Sequence, residues 1–269
     1  MRRRYHAGMY REKRVAVVMP AYNAAKTLQI TYDEVMAQGV VDVVLVVDDA
    51  SRDETVAVAR GLPKAVVHVH EANLGYGGNQ KTCYRLALEQ RADIVVMVHP
   101  DYQYTPLLLP AMVSLIGSGL YHCVLGSRIL GGQAMRGGMP GWKYISNRVL
   151  TFTENLMTGA KLSEYHTGYR AFSRELIERL PLQRNSDDFL FDNQMLLQIL
   201  WAGYTIAEIS CPTKYFDEAS SINFRRSLTY GVGCLGAAAR YALARRGIGS
   251  SPLFPPELRD RARADGQKL

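Results

Sequence analysis

The chain has only four cysteines, Cys83, Cys123, Cys211 and Cys234, and none pairs with another in a C-x-x-C spacing. That excludes a zinc ribbon and offers no disulfide framework, so reduced thiols in a cytoplasmic setting are expected. Long apolar runs are also missing. The longest uncharged stretch towards the C-terminal end, Ser227 to Ala239, has 13 residues and includes three glycines, short of the roughly 18 that a membrane span needs. No apolar region follows Arg4 to turn the basic start into a signal peptide. Internal repeats are absent. The basic residues cluster at the ends without interleaved aromatics, which argues against a nucleic-acid partner.

What is present is an ordinary globular composition. Of 269 residues, 48% are hydrophobic and 21% charged, enough to bury a sizeable core and too apolar for a disordered chain. The net charge of +7 is unevenly placed. Residues 1–14 carry six basic groups and one acid, and residues 225–269 carry nine and three. The ends together hold +11, while residues 15–224 hold −4. Basic ends on an acidic body imply an anionic surface as partner, either a membrane or a polyanion.

The body alternates between two periodicities. Val15–Met19, Val40–Val47, Ala65–His70 and Ile94–Val98 are short apolar runs that read as buried strands. Helical spacing follows them at 27–38, 53–60 and 75–89. This rhythm predicts an α/β fold with a mainly parallel sheet covered on both faces. Ligands of such sheets collect beyond the carboxyl ends of the strands. Past residue 125 the expected order is a Gly-rich loop at 131–141, a helix at 144–157, an irregular stretch at 160–170, a helix at 190–202 and a strand at 204–211. A basic, loosely amphipathic helix is expected at 224–246, with Arg225, Arg226, Arg240, Arg245 and Arg246 set against Leu228, Val232, Leu235 and Leu243.

Three polar clusters sit just past strand ends. Pro20-Ala21-Tyr22-Asn23 places amides and an aromatic face where a planar base can lie. In Val47-Asp48-Asp49-Ala50-Ser51-Arg52-Asp53, Asp48 suits a base N–H or a ribose hydroxyl, whereas Ser51 and Asp53 suit a helix cap. In His99-Pro100-Asp101-Tyr102-Gln103, a carboxylate and an amide oxygen two residues apart are hard donors for Mg²⁺ or Mn²⁺ carried by a diphosphate. A fourth group, Ser186-Asp187-Asp188-Phe189-Leu190-Phe191-Asp192, opens the helix at 190–202. Its acids suit helix capping or a general base.

With these clusters come N-L-G-Y-G-G-N (73–79), G-S-R (126–128), S-N-R (146–148) and H-T-G-Y-R-A-F-S-R (166–174). In this order the chain resembles family 2 glycosyltransferases of the GT-A (Rossmann-like) fold, most closely the dolichyl- or polyprenyl-phosphate mannose synthase-like branch, over roughly 15–220. The resemblance implies an inverting transfer assisted by a divalent metal, Mg or Mn, from a nucleotide-sugar, either UDP- or GDP-linked. It implies Pro20, Tyr22, Asn23, Asp48 and Asp49 around the nucleotide. Asp101 and Gln103 become metal ligands, with His99 standing where the family usually has a first Asp. Arg128, Arg148 and Arg170 are implied near donor or acceptor phosphates, and Asp192 is the candidate base.

The implied acceptor is a polyprenyl phosphate at the cytoplasmic membrane face. The alternative is a hydroxyl of a polysaccharide, glycolipid or secondary metabolite, and a further one is an inactive nucleotide-sugar-binding regulator. A nucleotidyltransferase of similar fold is disfavoured, because residues 20–25 lack the glycines of its phosphate loop. The expected organisation is a basic arm at 1–14, a transferase domain at 15–220, a helix at 221–247 for a membrane interface or a subunit contact, and a tail at 248–269. Homo-oligomerisation is left open.

Overall fold

The computed structural model describes residues 9, 10, 12–213 and 224–259. Most of the arm expected at 1–14 and the end of the tail lie outside the described residues. Strands β2 (Lys13–Ala21), β3 (Val43–Asp48), β4 (Ala65–Val69) and β5 (Ile94–Met97) are all parallel, in the order β4-β3-β2-β5. A two-residue β1 (Met9–Tyr10) lies antiparallel against the start of β2. Every residue of β3 and β5 is buried, as continuous Val and Ile runs require when both faces of a parallel sheet are covered. Helices α1 (Leu28–Ala37), α2 (Thr55–Gly61), α3 (Gly75–Glu89) and α4 (Leu109–Gly117) make the connections. Two apolar clusters result, one on each side of the sheet.

The second half departs from the simple rhythm. After β6 (Cys123–Ser127) and α5 (Gly141–Thr158), the chain returns as β7 (Arg170–Ser173), antiparallel between β5 and β6. The mainly parallel sheet therefore carries one reversed strand, too short at four residues to show a strand pattern in sequence. Its register sets Arg170 opposite Met97 and Leu125. The irregular segment before β7 thus lies at the carboxyl edge of the sheet, where His99 and Arg128 also emerge. Helix α6 (Arg174–Arg179) follows at once, then α7 (Leu190–Ala202), strand β8 (Ile206–Ser210) parallel to β6, and α8 (Phe224–Arg245) packed on α5 and α7.

The tail expected from 248 is anchored to the core by three side chains between residues 253 and 258. Leu253, Phe254 and Leu258 are buried, and Trp201 Nε1 donates to Pro255 O at 2.9 Å. Phe254 packs against Trp201 and Tyr241 with centroids 5.7 and 5.5 Å away. Proline and charge in the sequence mask these three apolar anchors. Phe254→Ala is expected to destabilise the fold by about 3–5 kcal/mol in urea unfolding, whereas a change in a solvated tail would leave the midpoint unmoved.

Candidate active site

At the first two strand ends the loops are tied to each other. Asn23, at φ 52°, receives Arg52 N–H on Oδ1 at 2.9 Å and donates its own N–H to Ser51 Oγ at 2.8 Å. Asp53 accepts from Ala25 N at 3.2 Å and Thr55 N at 3.0 Å. Burial alone raises the Asp53 pKa, and these bonds with the Thr55 hydroxyl outweigh it, holding the carboxyl below its ordinary range. Pro20 belongs to β2, opposite Val47, and Tyr22 beyond it is half exposed. Asp48 is fully buried. Its Oδ2 accepts from Ser51 N at 3.0 Å, but its Oδ1 is buried without a partner.

Asp49, expected at the nucleotide, is instead committed to the protein. It accepts from Leu74 N at 2.8 Å and Gly75 N at 3.1 Å, and it pairs with His70 Nδ1 at 2.8 Å. The acid therefore pins the start of α3. Gly77 in that helix leaves room for the backbone of residues 186–187. A Cβ there would stand 2.3 Å from Ser186 O, and Gly77 N donates to Asp187 O at 2.7 Å.

This packing brings α3 and α7 to one pocket of about 230 Å³, at the ends of β5 and β6. Tyr76 of α3 donates its hydroxyl proton to Asp192 Oδ2 at 2.7 Å, and Gln80 Nε2 donates to Asp192 Oδ1 at 3.0 Å. His99 Nε2 lies 3.0 Å from the Tyr76 hydroxyl, with the two rings stacked. Tyr76 has one proton and gives it to Asp192. His99 must then be the donor from Nε2, and only in the neutral ring does Nδ1 carry a lone pair. Gly168 makes this possible, because a Cβ there would be 2.6 Å from His99 Nε2.

The arginines divide. Arg128 lines the pocket and is held by buried Glu164, which accepts from Arg128 N and Nε at 2.8 Å each and from Arg128 Nη2. Asn147 adds a bond to Glu164 at 2.8 Å. Burial alone raises the Glu164 carboxyl, but the Arg128 charge and these donors outweigh it and hold it below its ordinary pKa.

Arg148, expected near phosphate, is exposed on α5 and donates to Ser163 O at 3.0 Å, while its neighbours Asn147 and Lys143 reach the pocket. Arg170, expected at the diphosphate, is fully buried. It donates to Thr167 O at 2.8 Å, Tyr165 O at 2.9 Å and Asp192 O at 2.6 Å. Its guanidinium is enclosed and spent on three backbone carbonyls, one of them that of Asp192. Lys143, which sequence reasoning leaves out, stands in the pocket wall with its pKa lowered by desolvation and by the charge of Arg128.

His99, Asp101 and Gln103 all line the pocket, and Asp101 Oδ1 receives Gln103 N–H at 3.1 Å in a tight turn. Among the described residues no three His, Cys, Asp or Glu side chains form a metal cage. A carboxylate, an amide oxygen and one imidazole nitrogen are too few for a resident ion. They fit Mg²⁺ or Mn²⁺ arriving with a diphosphate, whose oxygens and waters complete the shell.

The family model described as glycosyl transferase family 2 matches residues 16–180. The chain is 26% identical to the UDP-N-acetylglucosamine–dolichyl-phosphate N-acetylglucosaminyltransferase of Methanococcus voltae, over 77% of this chain and 88% of that one. It is 29% identical to the undecaprenyl-phosphate mannosyltransferase of Micrococcus luteus, over 73% and 82%. In fold it is similar to glucosyl-3-phosphoglycerate synthase of Mycobacterium tuberculosis, with a TM-score of 0.65 at 21% identity, covering 89% of this chain and 82% of that one. Another structure of that synthase holds Mn²⁺, uridine diphosphate and phosphoglyceric acid.

Glu164→Gln is expected to destabilise the protein by about 3–5 kcal/mol near neutral pH, because it strands the Arg128 charge. Glu164 has its pKa depressed by folding, so its contribution is complete above the ordinary glutamate pKa of about 4.3 and is lost as pH falls through the lower folded value. Urea unfolding of both proteins across that window is expected to show the gap closing on acidification.

Proposed function

The chain belongs to glycosyl transferase family 2, and on that premise we propose that it moves a sugar, with inversion, from a nucleotide-sugar to the phosphate of a polyprenyl phosphate at the cytoplasmic face of a membrane. That the protein is a glycosyltransferase follows from the family. Two relatives named as dolichyl- and undecaprenyl-phosphate sugar transferases support the acceptor class.

The observation that carries the choice of acceptor is the state of Asp192. Both its carboxylate oxygens already accept bonds from Tyr76 and Gln80, and its carbonyl is held by Arg170. A hydroxyl acceptor needs a positioned base to take its proton. A phosphate monoester, with a second pKa near 6, is already an anion at neutral pH. Lys143 and Arg128 in the same wall repel each other, and an anionic phosphate relieves that repulsion.

On this reading the buried, unpartnered Asp48 Oδ1 accepts from the base and the Tyr22 ring covers it. His99 through Nδ1, Asp101 and Gln103 would hold the divalent ion. When bound, the ion supplies Lewis-acid charge for the leaving diphosphate. The acceptor oxygen attacks the anomeric carbon as its bond to the diphosphate breaks, and the bonding electrons leave with the nucleoside diphosphate. The protein's share is to orient these two anions and to keep Asp192 and His99 fixed beneath them.

Incubation with Mn²⁺ or Mg²⁺, polyprenyl phosphate and pooled nucleotide-sugars, followed by mass spectrometry of the lipid extract, is expected to show a new mass of one hexose or N-acetylhexosamine. Asp101→Ala is expected to abolish it. Asp192→Asn is expected to lose less than the roughly 10²–10⁴-fold that removal of a general base costs. Release of nucleoside diphosphate without a lipid product would move the reading to a hydroxyl acceptor.

A further inference from the structure

Helix α5 is built inside out. Its buried face is polar and consists of Asn147, Thr151, Glu154 and Thr158. Its exposed face is apolar, with Trp142, Ile145, Val149, Phe152 and Leu156 spaced three and four residues apart. Phe152 is 69% exposed and Leu156 76%. A surface helix of a soluble domain normally turns its apolar stripe inward. A stripe of about 21 Å turned outward, at 1.5 Å per residue, marks a surface that something apolar covers.

The interior explains the reversal. Glu154 accepts a bond from Asn193, and Asn147 serves Glu164, so the inward face is committed to a polar network under the pocket. Helix α8, packed alongside, exposes Leu228 and Val232 as well.

Charge identifies the occupant. Helix α8 contains no acid, and the one acid of α5, Glu154, is buried. Arg148 on α5, Arg226 and Arg240 on α8 and Arg246 just beyond it are exposed. A two-fold contact with a second copy would set this acid-free patch against itself, basic rim facing basic rim. An anionic bilayer offers hydrocarbon to the stripe and head groups to the arginines. Trp142 has the amphipathic ring favoured at such an interface, and it also lines the pocket.

We propose that the exposed face of α5, flanked by the arginines of α8, is seated on an anionic lipid bilayer, with Trp142 at the seam between bilayer and pocket. The membrane contact expected of the basic helix α8 thus falls chiefly on its neighbour. The docking face is formed by the two helices alone. Only the passage of a lipid acceptor past Trp142 rests on the transfer reading.

The test is co-flotation with phosphatidylcholine vesicles, with and without phosphatidylglycerol and free of polyprenyl phosphate, read together with tryptophan fluorescence. Trp142 and Trp201 are the two tryptophans, and Trp201 is buried. A blue shift on vesicles that Trp142→Phe removes therefore places Trp142 in the interface. Phe152→Asp with Leu156→Asp is expected to lower partitioning at least roughly tenfold, the loss expected for one such side chain left unburied. The variant should keep its thermal midpoint and its turnover of a short-chain, detergent-soluble prenyl phosphate.

Partitioning that the double variant leaves unchanged would overturn the proposal. So would absence of partitioning in a wild type that sediments as a dimer and becomes monomeric in the variant. Vesicle binding without turnover of any prenyl phosphate would sink the acceptor assignment and leave the docking face standing.

Discussion

A guanidinium removed from water must find a partner for its donors inside the protein, and Arg170 finds them on backbone carbonyls. Tyr165, Thr167 and Asp192 each supply one. Breaking such an arrangement leaves a buried charge unsatisfied, so the bonds hold together the segment before β7, the strand itself and the first turn of α7. The pocket floor inherits that geometry. With the Asp192 backbone held from one side and its carboxylate from the other, Tyr76 and then His99 have little freedom left.

The acids in and behind the pocket are mostly committed to the protein. Asp49 secures the start of α3, Glu164 holds Arg128, Glu154 faces the interior and Asp192 serves Tyr76 and Gln80. Such a site suits a reaction between two anions that need alignment and screening more than proton removal. His99, beside Asp101 in the same pocket wall, is fixed through Nε2 by the Tyr76 hydroxyl.

How much of this the sequence disclosed depended on whether the information was local. Helices α3 and α7 were legible to the residue, because glycine and acidic clusters mark their starts and apolar spacing continues to their ends. The strand-end clusters at 20–23, 48–49 and 99–103 were legible as well, since in a parallel sheet such positions face one edge. The reversed strand β7 was not, because its place is set by pairing with β5 and β6 across more than forty residues. Nor did composition reveal that Arg170 and Asp49 turn inward while Lys143 faces the pocket, for an arginine and a lysine read alike until burial separates them. The inversion of α5 escaped for a related reason. Periodicity reveals that a helix has two faces, not which of them the interior receives.

The path of β7 also has a meaning in time. A chain emerging from a ribosome has β2 to β5, and with them the carboxyl edge of the parallel sheet, before residue 100 is past. The gap between β5 and β6 stays open until residues 170–173 enter it. The pocket lacks part of its wall until Tyr230 of α8 arrives, and the core around Trp201 is completed last, by residues 254–259. A nascent chain of this protein therefore completes the parallel half of its sheet long before α3, α5, α7 and α8 can enclose a pocket, and the two halves of the molecule meet only when synthesis is nearly over.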